Sequence, residues 1–286
     1  TDWGTIPVPG NWELNGYGVP VYVNTTNDFD NSQLPKVPVK GNAVGSYRKW
    51  VDIGKTWEDK QVILNIGGAK SCFYLWVNGE FVGYSEDAKT NSEFDITKFV
   101  KFGERNLIAL QVFKWSDGSY FECQDFWRLS GIERSITLYA QPQTHILDYK
   151  VVADLDSTYQ NGILDVEVVI ENTSFFEKEQ AYTVECFMLK YTGPYASGYG
   201  APDTVIRFKN PEKKTVHFHL DIEDITSWTA ENPFLHDVVI VLYAQKGKNK
   251  MTEIESCEAK IGFRNVKIEN GLLLVNGVPV TIRGVN

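Results

Sequence analysis

Only four cysteines, Cys72, Cys123, Cys186 and Cys257, occur in 286 residues, and no two of them form a CxxC pair. They are too few and too scattered for a disulfide framework, so free thiols are expected. No stretch approaches the ~18 consecutive apolar residues of a membrane span, so no membrane partner is expected. HExxH, GxSxG, Walker and GxGxxG motifs are all missing, which leaves metalloprotease, α/β-hydrolase, NTPase and dinucleotide-binding readings without support. Positive charge is also short: 28 Lys and Arg against 37 Asp and Glu leave a net charge of −9. With no local basic patch to offset that balance, nucleic acid is not expected as a partner. There is no internal repeat or low-complexity tract. The first residues, Thr1-Asp2-Trp3-Gly4, show neither a Met nor a signal-peptide profile. The sequence therefore reads as an excised piece, with the compartment, cytoplasmic or periplasmic, left open.

What the chain has in abundance is aromatic side chains, with 8 Trp, 14 Tyr and 16 Phe. Such residues suit β-sheet cores and carbohydrate surfaces alike. A length of 286 residues is about twice a typical ~150-residue domain, and the apolar content of 43% allows each half a real core. Almost every ordered-looking run alternates with period two, as in Tyr47–Ile53 and Leu107–Phe113. Gln61–Ile66 and Cys72–Val77 behave alike. The second of these continues through Asn78-Gly79 into Glu80–Tyr84, predicting a type I′ hairpin because both turn positions need φ > 0. Glu93–Phe99 reads as a connector, and Ser135–Tyr139 closes a first domain over residues 1–140.

From Thr144 the pattern restarts with seven short strands: Ile146–Ala153, Ile163–Ile170, Tyr182–Leu189, Thr204–Phe208, Thr215–Leu220, Asp237–Ala244 and Cys257–Gly262. This spacing predicts an immunoglobulin-like sandwich over 141–263. The Gly- and Pro-containing run Tyr191–Pro202 is expected to be an exposed loop. Residues 264–286 read as a hairpin turning at Asn276-Gly277, with Leu272, Leu274, Val278 and Val280 unpartnered. The fold class expected is all-β, a jelly-roll β-sandwich of the galactose-binding-domain type followed by the immunoglobulin-like β-sandwich.

Reactive side chains concentrate in Trp115–Gly131, where aromatics and carboxylates alternate with glycine, the mix a sugar site uses. Asp117-Gly118 reads as a turn. Glu122 and Asp125 are the acids of interest, but residues three apart on a strand lie ~10 Å apart and face opposite ways. They make a poor match for the ~5–5.5 Å carboxylate pair of a retaining glycosidase. Asp125 alone can bind a sugar hydroxyl or a hard cation; the competing reading is a structural ion pair with Arg128 or another base. His217 and His219 share a strand face without an evident third metal ligand, so a solvated face is expected.

Pro9-Gly10-Asn11-Trp12, Tyr22-Val23-Asn24-Thr25, Gly45-Ser46-Tyr47-Arg48, Phe73–Ser85, Ser92–Thr97, the 115–131 cluster and Ile268–Gly277 through Arg283-Gly284-Val285-Asn286 together resemble the N-terminal part of β-galactosidases of glycoside hydrolase family two. The resemblance runs from end to end. It implies a jelly-roll sugar-binding domain, an immunoglobulin-like domain, and a tail that opens a (β/α)₈ barrel. A barrel of ~250 residues cannot fit in residues 264–286, so the family's two catalytic glutamates are expected outside this chain and no residue here is assigned as catalytic. The resemblance assigns Asn24 to the amide that reaches the substrate, and Asp125 to the aspartate that contacts galactose and helps hold a monovalent cation in the full-length enzyme. It further implies a β-galactoside substrate, Mg²⁺ and Na⁺ or K⁺ for the full-length enzyme with no cofactor in the fragment, and a homo-oligomer. Two departures stand out: Cys123 where the family often has aspartate, and Lys89-Thr90-Asn91 where Arg-Leu-Pro is usual. Sister enzymes act on β-glucuronides or β-mannosides, and a stand-alone carbohydrate-binding module is the reading of a different class.

Overall fold

In the computed structural model the described residues are 3–24, 26–122, 124–192, 195–245 and 250–285. They divide into two compact units, residues 1–141 and 142–286, and the secondary structure is strand with a few single-turn 3₁₀ helices. No helix among the described residues is long and apolar enough to cross a membrane.

The first unit is built on two antiparallel sheets. One runs, in spatial order, Val44–Ile53, Glu104–Phe113, Cys72–Val77 and Glu80–Glu86. The other runs Ile136–Gln141, Gln61–Ile66 and Ser92–Asp95. Period-two alternation puts Ile108, Leu110 and Val112 on the inner face of their strand, where they join Phe73, Leu75, Val77, Val62, Leu64 and Ile66 in one core. Asn78 and Gly79 both adopt positive φ, 52° and 87°, as a type I′ turn requires.

In the second unit, Thr144–Leu155, Gly162–Asn172 and Glu212–Ile222 form one sheet. The facing sheet is ordered Tyr195–Gly200, Gln180–Thr192, His236–Gln245 and Met251–Ile261, with Thr204–Phe208 also paired to Gln180–Thr192. Leu164, Val166, Val168 and Ile170 from one sheet meet Val184, Cys186, Met188, Ile240 and Leu242 from the other. This is a jelly roll followed by an immunoglobulin-like sandwich.

The structure corrects four local expectations. The Tyr191–Pro202 run is not simply a loop: Tyr195–Gly200 is a strand paired with Phe187–Thr192, so the ladder offsets the low strand preference of Gly and Ser. Gly193 and Pro194 lie outside the described residues. Within the expected connector, Ser92–Asp95 is an edge strand, and only Thr97–Phe99 is a turn of 3₁₀ helix. Asp117 begins a 3₁₀ turn that is closed reciprocally by Ser116 and Ser119. The tail is a three-stranded meander, because Asn270-Gly271 also takes positive φ and returns Val266–Glu269 onto Leu272–Val275. Leu274 is buried there, whereas Leu272, Val278 and Val280 are exposed.

Cys72, Cys186 and Cys257 are free thiols, and Cys123 lies outside the described residues. Cys186 and Cys257 both register against Ile240 from opposite sides of one sheet. They are thus two strand spacings, about 9–10 Å, apart, too far for a disulfide. Burial pushes the Cys72 and Cys186 thiols up to about 11.

Candidate functional site

Two strands of only three residues make the site. Val21–Val23 pairs with Phe126–Arg128 in the register Phe126 to Val23, Trp127 to Tyr22 and Arg128 to Val21. Continuing that antiparallel register by one step places Asn24 opposite Asp125, just beyond the open end of the ladder. Both residues are exposed. The ladder brings the segments that carry the two sequence-predicted residues, 101 positions apart in the chain, side by side, with each residue one position beyond the last pair.

The carboxylate of Asp125 has a defined partner. The Tyr22 hydroxyl donates to Asp125 Oδ1, and that bond, lost if the phenol ionises, raises the Tyr22 pKa and keeps the hydroxyl a donor. Among the described residues no donor reaches the second carboxylate oxygen of Asp125, which leaves it open to a hydroxyl or a cation. Tyr22 and Trp127 meet edge to face at 5.8 Å and form an exposed aromatic border beside the two polar groups.

Arg128 is the clamp. Its buried guanidinium donates to the carbonyls of Gln124 at 2.7 Å, Phe126 at 3.3 Å and Thr26 at 3.3 Å. It thus ties the segment after Asn24 to the segment bearing Asp125. The expected competitor, an ion pair between Asp125 and Arg128, is not what holds Asp125: Tyr22 fills that role. The five N–H donors of a guanidinium explain why one side chain can fix two backbone segments at once.

The remaining candidates have structural roles. Glu122 accepts the Ala88 N–H at 2.8 Å on one oxygen and the Ser71 hydroxyl at 3.2 Å on the other. Asp28 takes the Trp115 indole N–H at 3.1 Å and pairs with Lys114 at 3.0 Å. Phe29 packs against both Trp115 and Tyr120, so these two rings serve packing while Trp127 and Tyr22 stay exposed. In the second unit His217 and His219 are exposed and face Glu167 and Asp165 on the neighbouring strand, at 3.7 Å and 2.6 Å. The Asp165 hydrogen bond holds the His219 imidazole above its usual range. No group of three or more His, Cys, Asp or Glu among the described residues is placed to hold a metal. Asp125 offers one carboxylate oxygen with no donor among the described residues, the kind of atom a hard cation or a hydroxyl takes.

Sequence reading missed Tyr22 and the clamping role of Arg128. Tyr22 sits two residues before Asn24 in the same motif, and the motif itself names no partner for its hydroxyl. Only the register shows that it meets Asp125.

Comparison with known proteins follows the same outline. Residues 1–142 match the model described as glycosyl hydrolases family 2, sugar binding domain, and residues 144–264 match the one described as glycosyl hydrolases family 2. A β-galactosidase of Priestia megaterium is 41% identical over 99% of this chain, and one of Lactobacillus delbrueckii subsp. bulgaricus is 37% identical over 100% of it. The chain spans 27% of the length of each of these relatives. Among solved structures, a Bacteroides uniformis β-glucuronidase superposes over 99% of this chain and 32% of its own, with TM-score 0.79 and 20% identity. A putative β-galactosidase from Bacteroides fragilis covers 98% of this chain and 39% of its own, with TM-score 0.74 and 20% identity. At that identity the likeness is one of fold alone. Two consecutive models of one family account for both sandwiches, and the chain belongs to glycosyl hydrolase family 2.

Proposed function

We propose that this chain is the non-catalytic front of a retaining β-galactosidase, and that its first unit lends Asn24 and Asp125 to a galactose pocket completed by residues outside the chain. The observation that supports the reading is the short Val21–Val23 and Phe126–Arg128 ladder, which joins the segment leading into Asn24 to the segment following Asp125 beside two exposed rings. An amide and a carboxylate recognise sugar hydroxyls by accepting and donating hydrogen bonds, and rings cover the CH faces of the sugar. The β-galactosidase relatives at 37–41% identity support galactose over the glucuronides of the fold neighbours.

In retaining hydrolysis one carboxylate attacks the anomeric carbon while the other protonates the leaving oxygen, and water then releases the sugar. Neither acid is assigned to this chain, since Glu122 is occupied by Ala88 and Ser71. Asp125 is the residue of this chain that would hold a monovalent cation, which when bound supplies a fixed positive charge for hydroxyl ligation. Mg²⁺, and assembly into a homo-oligomer, belong to the proposed full-length enzyme.

The test is steady-state hydrolysis of a chromogenic β-galactoside by the full-length enzyme. Asn24→Ala and Asp125→Ala should each lower kcat/KM about tenfold to a hundredfold, the loss of one hydrogen bond to a polar or charged partner. Asp125→Ala should in addition blunt the response to Na⁺ or K⁺. Unchanged kinetics in both variants would reduce the pair to surface residues. Micromolar galactose binding by the 286-residue chain would favour the stand-alone carbohydrate-binding module.

A further inference from the structure

Asp125 is held in two different ways, once through its backbone and once through its carboxylate. The buried Arg128 guanidinium donates to the carbonyls of Gln124 at 2.7 Å and Phe126 at 3.3 Å, the residues on either side of Asp125. That grip fixes where the Asp125 side chain begins. It leaves the side-chain torsions of an exposed carboxylate free to turn. The Tyr22 hydroxyl, 103 positions away in the chain, removes that freedom by donating to Asp125 Oδ1.

The phenol is suited to this task and to little else. Tyr22 is 52% exposed and stands outside the core cluster of the first unit, so its hydroxyl supports no packing there. Among the described residues that hydroxyl has no second hydrogen-bond partner. The Trp127 ring, edge to face at 5.8 Å, steadies the direction in which the phenol points. A carboxylate has only acceptors to offer, so the shared proton stays on the phenol. The bond to Asp125 raises the Tyr22 pKa, which keeps the donor in place at neutral pH.

We propose that Tyr22 is a positioning residue of the sugar site: by occupying Asp125 Oδ1 it leaves Oδ2 as the one oxygen offered to a galactose hydroxyl or a monovalent cation. The proposal rests on the galactosidase reading of that site. Holding the carboxylate in one orientation before the ligand arrives removes an ordering cost that binding would otherwise meet. An unrestrained carboxylate presents either oxygen, or both, and selects no single geometry. Tyr22 touches neither sugar nor cation in this role; it acts through Asp125.

The experiment is a double-mutant cycle in the full-length enzyme, with Tyr22→Phe, Asp125→Ala and the two combined. Each protein is measured for kcat/KM on a chromogenic β-galactoside, for galactose affinity by calorimetry, and for sodium binding by sodium NMR line broadening. Tyr22→Phe keeps the ring and loses only the hydroxyl, so folding is preserved. The expected result is that Tyr22→Phe weakens galactose and sodium binding about threefold to tenfold, the effect of freeing one side chain, and lowers kcat/KM in step. Added to Asp125→Ala, the same change has an effect below about twofold, because no carboxylate remains to be oriented. A hydroxyl that served only the fold would cost the same in both backgrounds. Equal losses in the two backgrounds, or unchanged galactose and sodium affinity in Tyr22→Phe while Asp125→Ala is impaired, would overturn the proposal. An unimpaired Asp125→Ala overturns the galactosidase reading of the site and the proposal with it, which sets that failure apart from one confined to Tyr22.

Discussion

At the residue scale, the polar side chains that matter here are defined by what they accept or donate. Asp125 illustrates this: exposed, it acquires direction only because Tyr22 donates to one of its oxygens. Asp156 is a second case, in the loop after Thr144–Leu155. Its oxygens accept from the Thr158 hydroxyl, the Asn161 amide and the backbone N–H groups of Thr158, Gln160 and Asn161. Those bonds, led by that of Thr158, lower its carboxyl to about 2. A carboxylate whose folded pKa is depressed stabilises the fold above its unfolded value near 3.8, and that contribution is lost as pH falls through about 2. Asp156→Ala should therefore be less stable than the parent at pH 7, and the gap should close between about pH 4 and pH 2. Urea unfolding of both proteins across that range measures it; a gap constant with pH would show that the carboxylate charge plays no part.

At the scale of the element, the hairpin at Asn78-Gly79 depends on a residue from a third strand. Asn106, fully buried, accepts from the Lys101 N–H at 2.7 Å and the Asn78 amide at 2.8 Å, and donates to the carbonyls of Lys101 and Glu104. Asn78 in turn accepts the Leu107 N–H at 2.9 Å. The turn thus joins two strands and also pins the start of Glu104–Phe113. Asn106→Ala leaves several of these groups buried without partners and should cost about 2–4 kcal/mol. Gly79→Ala forces a side chain into positive φ alone and should cost about 1 kcal/mol. Chemical denaturation ranks the two, and an equal or reversed order would show that the turn conformation outweighs the asparagine network.

At the scale of the whole molecule, each unit has a complete core of its own, while the candidate sugar site is only an edge, with one amide, one carboxylate and two rings. Among the described residues no second carboxylate is hydrogen-bonded with or ion-paired to the groups of this edge. Purified 286-residue polypeptide should show no turnover of a chromogenic β-galactoside above buffer, whereas a longer polypeptide carrying the family's catalytic barrel should. Turnover by the short chain that survives Asp125→Ala and repurification would overturn the assignment of the acids to a barrel outside it.

The strand pattern was legible in the amino-acid order because side chains of a strand alternate between core and solvent with period two, a property of the local backbone. That is how Gln61–Ile66, Cys72–Val77 and Thr204–Phe208 were bounded from sequence as the structure has them, and why Asn-Gly marked its turns. The strand Tyr195–Gly200 was not legible, since its stability comes from pairing with Phe187–Thr192 rather than from its own residues. Asn24 and Asp125 could be named from motifs resembling those of a family, but neither motif states which segment lies beside which. Their segments, about a hundred positions apart, are joined by a three-residue ladder. The buried Ser130 hydroxyl, which has no partner among the described residues, follows from the same cause. Whether a buried group finds a partner is decided by which distant strand lies beside it, so only the tertiary structure could show it.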